Sequence, residues 1–176
     1  MRWHNVMICG AFLAVSTGAA HAEFGFGTPA TPEEIAGWNI SIGRDGANLP
    51  AGSGDTKAGA AIYAERCVAC HGELGEGGIG DRLVGGQGSL TSDPPVKTVG
   101  SYWPYATTLY DYINRAMPQD AQQSLTPDEV YALSAYLLHL NGIVAEGAVM
   151  DAKSLPMVQM PNRDGFVPDD RPDIGE

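Results

Sequence analysis

Cys67-Val68-Ala69-Cys70-His71 is the stretch that decides how this chain is read. C-x-x-C-H is the attachment signature of a c-type haem. Two thiols add to the haem vinyl groups, and the histidine beside the second is held under the iron as its proximal ligand. Two intervening residues put both sulfurs on one helical turn. A zinc half-site would need two more ligands at matching spacing. A thioredoxin-like pair would sit in a βαβ pattern, which the sequence lacks. The motif occurs once, so the expectation is one covalently bound haem c.

Working outward from the motif, three helices are expected. The first runs from about Thr56 to Arg66 and delivers the chain into Cys67; Gly59 and Tyr63 share one of its faces. The second runs from about Pro104 to Ala116, with Tyr105, Leu109, Tyr112, Ile113 and Ala116 as its apolar stripe. The third is the clearest. Thr126 is its N-cap, Pro127 its first residue and Glu129 the partner in a capping box, with Leu125 and Val130 as a hydrophobic staple. Asn141-Gly142 supplies its stop. Val130, Leu133, Tyr136, Leu137 and Leu140 fill one side. Strand signals are sparse, so the fold class is all-α.

A haem iron with histidine on one side is tuned by what sits on the other. Met117 is the candidate sixth ligand. It lies 46 residues after His71 and precedes Pro118, which ends the second helix. Met150, Met157 and Met160 are rivals in the tail, and His139 is a bis-histidine alternative. A core methionine is the bland reading of each. With both axial places filled, no site remains for substrate. That points to electron transfer and away from an enzyme in its own right.

The rest of the chain divides around this core. Residues 1–22 read as a signal peptide: Arg2 and His4, an apolar run from Val6 to Val15, then Ala20-His21-Ala22. Cleavage after Ala22 and a periplasmic address are expected. The run is too short to span a bilayer, which takes about 20 residues. Cys9 falls inside the signal, and Ile8 before it speaks against a lipoprotein. Residues 23–54 form an N-terminal arm with one short helix signal at Thr31-Pro32-Glu33-Glu34; Trp38 and Ile40 or Ile42 are placed to pin it to the core. Residues 55–142 are the core domain. Residues 143–176 form a tail read as irregular, wrapping the core or ordered on a partner. Such extensions are costly to order unless they lie on something.

The formal net charge is −11. Removal of the signal takes away one arginine and no acid. This charge argues against nucleic acid or an anionic membrane as partner and permits steering toward a basic protein surface. No later segment is apolar enough for a membrane anchor.

Gly59, Tyr63, CVACH at 67–71, Met117-Pro118 and the helix carrying Tyr136 resemble a class I cytochrome c over residues 55–142. The resemblance implies that the first and last helices cross, with Gly59 at the close approach and Tyr63 meeting Tyr136. One departure is visible. Such cytochromes carry a proline after the motif whose carbonyl orients the proximal histidine, and Asp81 stands in its place. A backbone carbonyl there can still accept from His71. Arg82 reads as a haem-propionate partner or as a solvated arginine.

A narrower resemblance spans most of the chain. Lys97-Thr98-Val99-Gly100-Ser101-Tyr102-Trp103-Pro104-Tyr105-Ala106-Thr107-Thr108-Leu109 is similar to the haem subunits of molybdenum sulfite or sulfane dehydrogenases in sulfur-oxidising bacteria. So are residues 136–143, the tail from Met160 to Pro168, and the arm from Thr31 to Trp38. This implies a subunit that accepts electrons from a molybdenum-containing dehydrogenase and passes them to a downstream cytochrome or oxidase. Tyr102, Trp103 and Tyr105 would line the haem pocket or a docking rim, or pack in the core. Phe166 and Val167 would anchor in a partner groove. A free-standing diffusible cytochrome c is the alternative. A thiosulfate-oxidising cytochrome is an outsider, since no spare cysteine exists to ligate a catalytic haem.

Overall fold

The computed structural model describes residues 27–171. The signal peptide, its cleavage site and Cys9 lie outside the described residues. Five α-helices carry the fold: α1 (Pro32–Trp38), α2 (Thr56–Arg66), α3 (Val68–His71), α4 (Ala106–Ala116) and α5 (Pro127–Leu140). Two three-residue strands, β1 (Ser53–Asp55) and β2 (Val149–Asp151), pair antiparallel with Gly54 opposite Met150. Short 3-10 turns cover Ser89–Thr91 and Leu155–Met157.

Helix boundaries follow their caps. The Asp55 carboxylate accepts from the Ala58 N–H at 2.7 Å and starts α2. Thr126 and Glu129 form the reciprocal capping box of α5, and Leu125 and Val130 beside it are both buried. The same box, Thr31 with Glu34, starts α1. α4 begins two residues later than its pattern suggested, because Tyr105 is extended (φ −136°, ψ 135°).

The centre is the crossing of α2 and α5. Gly59 meets Ala132 there, and one turn on Tyr63 and Tyr136 pack with ring centroids 5.4 Å apart. α5 is buried on more than the expected side: Tyr131, Ala132, Ser134, Ala135 and Leu138 are covered as well. β1 lies on its outer flank, where a Cβ on residue 54 would fall 2.3 Å from the Ala132 nitrogen. The crossing thus fixes α2, and with it the entry into Cys67.

The arm and tail are held by this core, though not by all the residues expected. Trp38 is 88% exposed and pins nothing; Ile42 and Leu49 pack on the core instead. The Ile42 N–H donates to the Asp111 carboxylate at 2.9 Å, and Thr107 Oγ1 donates to the Arg44 carbonyl at 3.2 Å. Those contacts bury Thr107 and Asp111 on α4 beside Ala106, Leu109, Tyr110 and Ile113. Tyr110 takes the core place foreseen for Tyr112, which is about half exposed. The tail is packed as far as Met160: Met150, Leu155, Val158 and Met160 are buried. Among the described residues no helix is long and apolar enough to cross a membrane.

Candidate functional site

The motif is built as one turn hung on the end of α2. The Cys67 N–H donates to the Tyr63 carbonyl at 2.9 Å, and the His71 N–H to the Cys67 carbonyl at 3.0 Å. α3 therefore holds Cys67, Cys70 and His71 together. Gly72 then reverses the chain at φ 82°, a region glycine enters without steric cost. The Tyr63 hydroxyl donates to the Gly72 carbonyl at 2.9 Å, tying the turn back to α2. Burial pushes that phenol up to about 12, so it is a donor at any physiological pH.

Residues 72–81 fold back onto the motif. The Gly77 N–H donates to the His71 carbonyl, and the Gly80 N–H to the Cys70 carbonyl, both at 2.8 Å. Gly80 presses on the imidazole: a Cβ there would lie 2.9 Å from Cε1. His71 Nδ1 donates to the Asp81 carbonyl at 2.8 Å. The carbonyl can only accept, so Nδ1 carries the proton and Nε2 is left as the free ligand nitrogen. The aspartate in the proline's place thus supplies the same backbone acceptor.

Glu76 builds this loop. Its carboxylate accepts from the Leu74 N–H at 2.8 Å. Bonds from its own backbone N–H and from Leu74 hold its carboxyl below the usual carboxylate range. Arg82 Nε donates to the Glu76 carbonyl at 3.1 Å. Arg82 is therefore a strut of the loop.

Cys67 is half-buried and Cys70 exposed, both as free thiols. Burial pushes the Cys67 thiol up to about 11, so it stays protonated at neutral pH. Met117 caps α4 in extended conformation (φ −122°, ψ 146°). It is half-buried and packs against the hydrophobic core, as do Cys67, Val68, Leu83 and Trp103. Of its rivals, Met150 and Met160 are buried in the core and Met157 is 72% exposed. His139 Nδ1 contacts the Val144 carbonyl at 3.3 Å. These residues fit a c-type haem: two unpaired thiols on one turn, an imidazole oriented through Nδ1, and a partly covered thioether packed on the core.

Trp103 packs on the core with its edge on Tyr112, at 5.6 Å. Tyr102 and Tyr105 face the tail. Phe166 packs edge-on against Tyr102 at 5.2 Å, and Arg163 lies 5.2 Å from the Tyr105 ring. Val167 is 86% exposed.

Asn141 was legible only as a helix stop, yet it joins α5 to the segment after the motif. Its Oδ1 accepts from the Gly85 N–H at 3.0 Å, and its Nδ2 donates to the Leu83 carbonyl at 3.2 Å and the Leu137 carbonyl at 2.9 Å. No periodicity marks such a role. The one available signal was an Asn preceding Gly at a helix end.

Comparison with known proteins agrees with this geometry. The family model described as cytochrome C oxidase, cbb3-type, subunit III matches residues 54–137. Among solved structures, the sulfane dehydrogenase SoxCD from Paracoccus pantotrophus is similar at 46% identity and a TM-score of 0.79. That match covers 85% of this chain and 74% of the other. The thiosulfate dehydrogenase TsdBA from Marichromatium purpuratum matches at 30% identity over 48% of this chain and 18% of the other, with a TM-score of 0.36. No curated protein matches.

Proposed function

Since the chain belongs to the cytochrome c family, alongside a chain of the sulfane dehydrogenase SoxCD, we propose that it is the haem subunit of a periplasmic dehydrogenase acting on a reduced sulfur compound. The observation that carries this reading is the 46% identity sustained over 85% of the chain, more than the 88 residues of the core domain alone could supply. A haem in this site supplies a one-electron Fe(III)/Fe(II) couple.

The residues have distinct tasks. Cys67 and Cys70 would hold the porphyrin through thioethers. His71 would ligate the iron through Nε2 while the Asp81 carbonyl accepts from Nδ1–H and orients the ring. Met117, at the end of α4, would be the second protein ligand, and a thioether ligand raises the potential. With both residues holding the iron no place would be left for substrate, so the sulfur chemistry would belong to a molybdenum-containing partner. Electrons then leave to a downstream cytochrome or oxidase. The haem-carrying domain would be residues 55–142, in a mature chain that begins at Glu23 after cleavage following Ala22.

A second reading, a free diffusible cytochrome c, is favoured by one observation. The tail as far as Met160 is buried on its own core and needs no partner to be ordered. Gentle isolation of the native protein with metal analysis separates the two. Haem and molybdenum in one peak support the subunit. Haem alone in a monomer-sized peak overturns it in favour of the shuttle.

A further inference from the structure

Ile79 is 92% exposed, although its backbone is among the most tightly held near the motif. Gly78 and Gly80 on either side press on Cys70 and His71. A Cβ on residue 78 would lie 2.9 Å from the Cys70 carbonyl oxygen, and one on residue 80 would lie 2.9 Å from Cε1 of His71. The Gly78 N–H donates to the Gly80 carbonyl at 3.0 Å, and the Gly80 N–H to the Cys70 carbonyl at 2.8 Å. A bare backbone is thus packed against the motif, and a branched apolar side chain is presented to water between the two contacts. Among the described residues, none covers that isoleucine.

Residues 65–82 are acidic on balance. Glu65, Glu73, Glu76 and Asp81 are all exposed, against two exposed cations, Arg66 and Arg82. Both arginines are held within the chain: Arg66 donates to Ser124 Oγ at 3.0 Å, and Arg82 to the Glu76 carbonyl at 3.1 Å. An apolar contact on a segment of net negative charge, in a chain of net charge −11, disfavours a second copy of this chain and any anionic surface, and suits an apolar patch rimmed by cations.

We propose that Ile79 is the apolar foot on which a redox protein with a lysine- or arginine-rimmed apolar patch docks to exchange electrons through the motif edge. This rests on the electron-carrier reading above. One electron crosses per encounter, one protein being oxidised as the other is reduced. Ile79 sets the closeness of the contact, and the carboxylates set the rate of approach.

The test uses the full-length holoprotein and its Ile79→Asp and Ile79→Ala variants. The probe is a lysine-ringed c-type cytochrome, followed by stopped flow at several ionic strengths. Hexaammineruthenium(II), which needs no docking face, is the control, together with the reduction potential. The wild-type exchange rate with the protein probe falls as salt rises. Ile79→Asp lowers that rate about tenfold and Ile79→Ala less, while potential and ruthenium rate stay at wild-type values. An Ile79→Asp rate equal to wild type overturns the docking assignment and leaves the carrier reading standing. A wild type that exchanges with neither probe overturns both.

Discussion

Gly59 and the carbonyl oxygen of Ala132 set the distance between α2 and α5: a Cβ on residue 59 would fall 2.0 Å from that oxygen. The obstruction is backbone, which cannot swing aside. Gly59→Ala is therefore expected to cost about 3 kcal/mol in urea unfolding, at the upper end of overpacking. Ala132→Gly does not rescue it, because the clash is with the carbonyl and not the methyl. A Gly59→Ala protein of wild-type stability would contradict the crossing.

Tyr110 and Tyr131 make a contrasting pair. Their rings pack with centroids 4.5 Å apart. The Tyr131 hydroxyl donates to the Pro50 carbonyl at 2.8 Å, whereas the buried Tyr110 hydroxyl has no partner. Tyr131→Phe should lose about 1 kcal/mol, and Tyr110→Phe should gain a similar amount by removing a desolvated, unbonded group. Chemical denaturation of both variants checks the sign; a loss in Tyr110→Phe would contradict it.

Glu76 predicts an acid-sensitive loop. Its folded carboxyl lies below the ordinary value of 4.5, chiefly through bonds from its own N–H and that of Leu74. Folding thus favours the ionised form. The stabilisation is fully present above that ordinary value and is lost as pH falls through the lowered folded one. Hydrogen exchange at the Leu74 amide should accelerate relative to the unfolded chain in that window. Glu76→Gln should show weaker protection at neutral pH and little further change in acid. Wild-type protection independent of pH across the window would refute the role.

Met117→Ala is expected to abolish the thioether-to-ferric charge-transfer band of the holoprotein and to lower its potential, while covalent haem content is unchanged. Met150→Ala and Met160→Ala remove buried core side chains, so they should lower stability by about 2 kcal/mol or more and leave the band in place. An unchanged spectrum in Met117→Ala would return the sixth position to its rivals.

The parts legible in the sequence are those whose cause is local. The capping box at Thr126 and Glu129, the stop at Asn141-Gly142 and the turn of CVACH are each written within a few residues, and each is found. The Gly59, Tyr63 and Tyr136 contacts were legible through resemblance. What escaped depends on segments far apart. Trp38 was given a pinning role on apolarity alone, but the arm is held by hydrogen bonds from Ile42 and to Arg44, which no periodicity encodes. Those same bonds cover one side of α4 and rotate its buried face toward Tyr110 and Asp111. β1 and β2 are three residues each, too short to alternate, and exist because α5 and the returning tail bring them together. Glu76 belongs to no sequence motif, and only the fold-back of the loop makes its carboxylate a bracket.

The most direct test of the central claim is a single-turnover reduction of the native complex. The isolated protein is oxidised, mixed anaerobically with sulfite or another reduced sulfur compound, and followed by haem absorption alongside the molybdenum signal. The account predicts that the haem of this chain is reduced within the turnover, after the molybdenum centre. A molybdenum centre that turns over while this haem stays oxidised would contradict it.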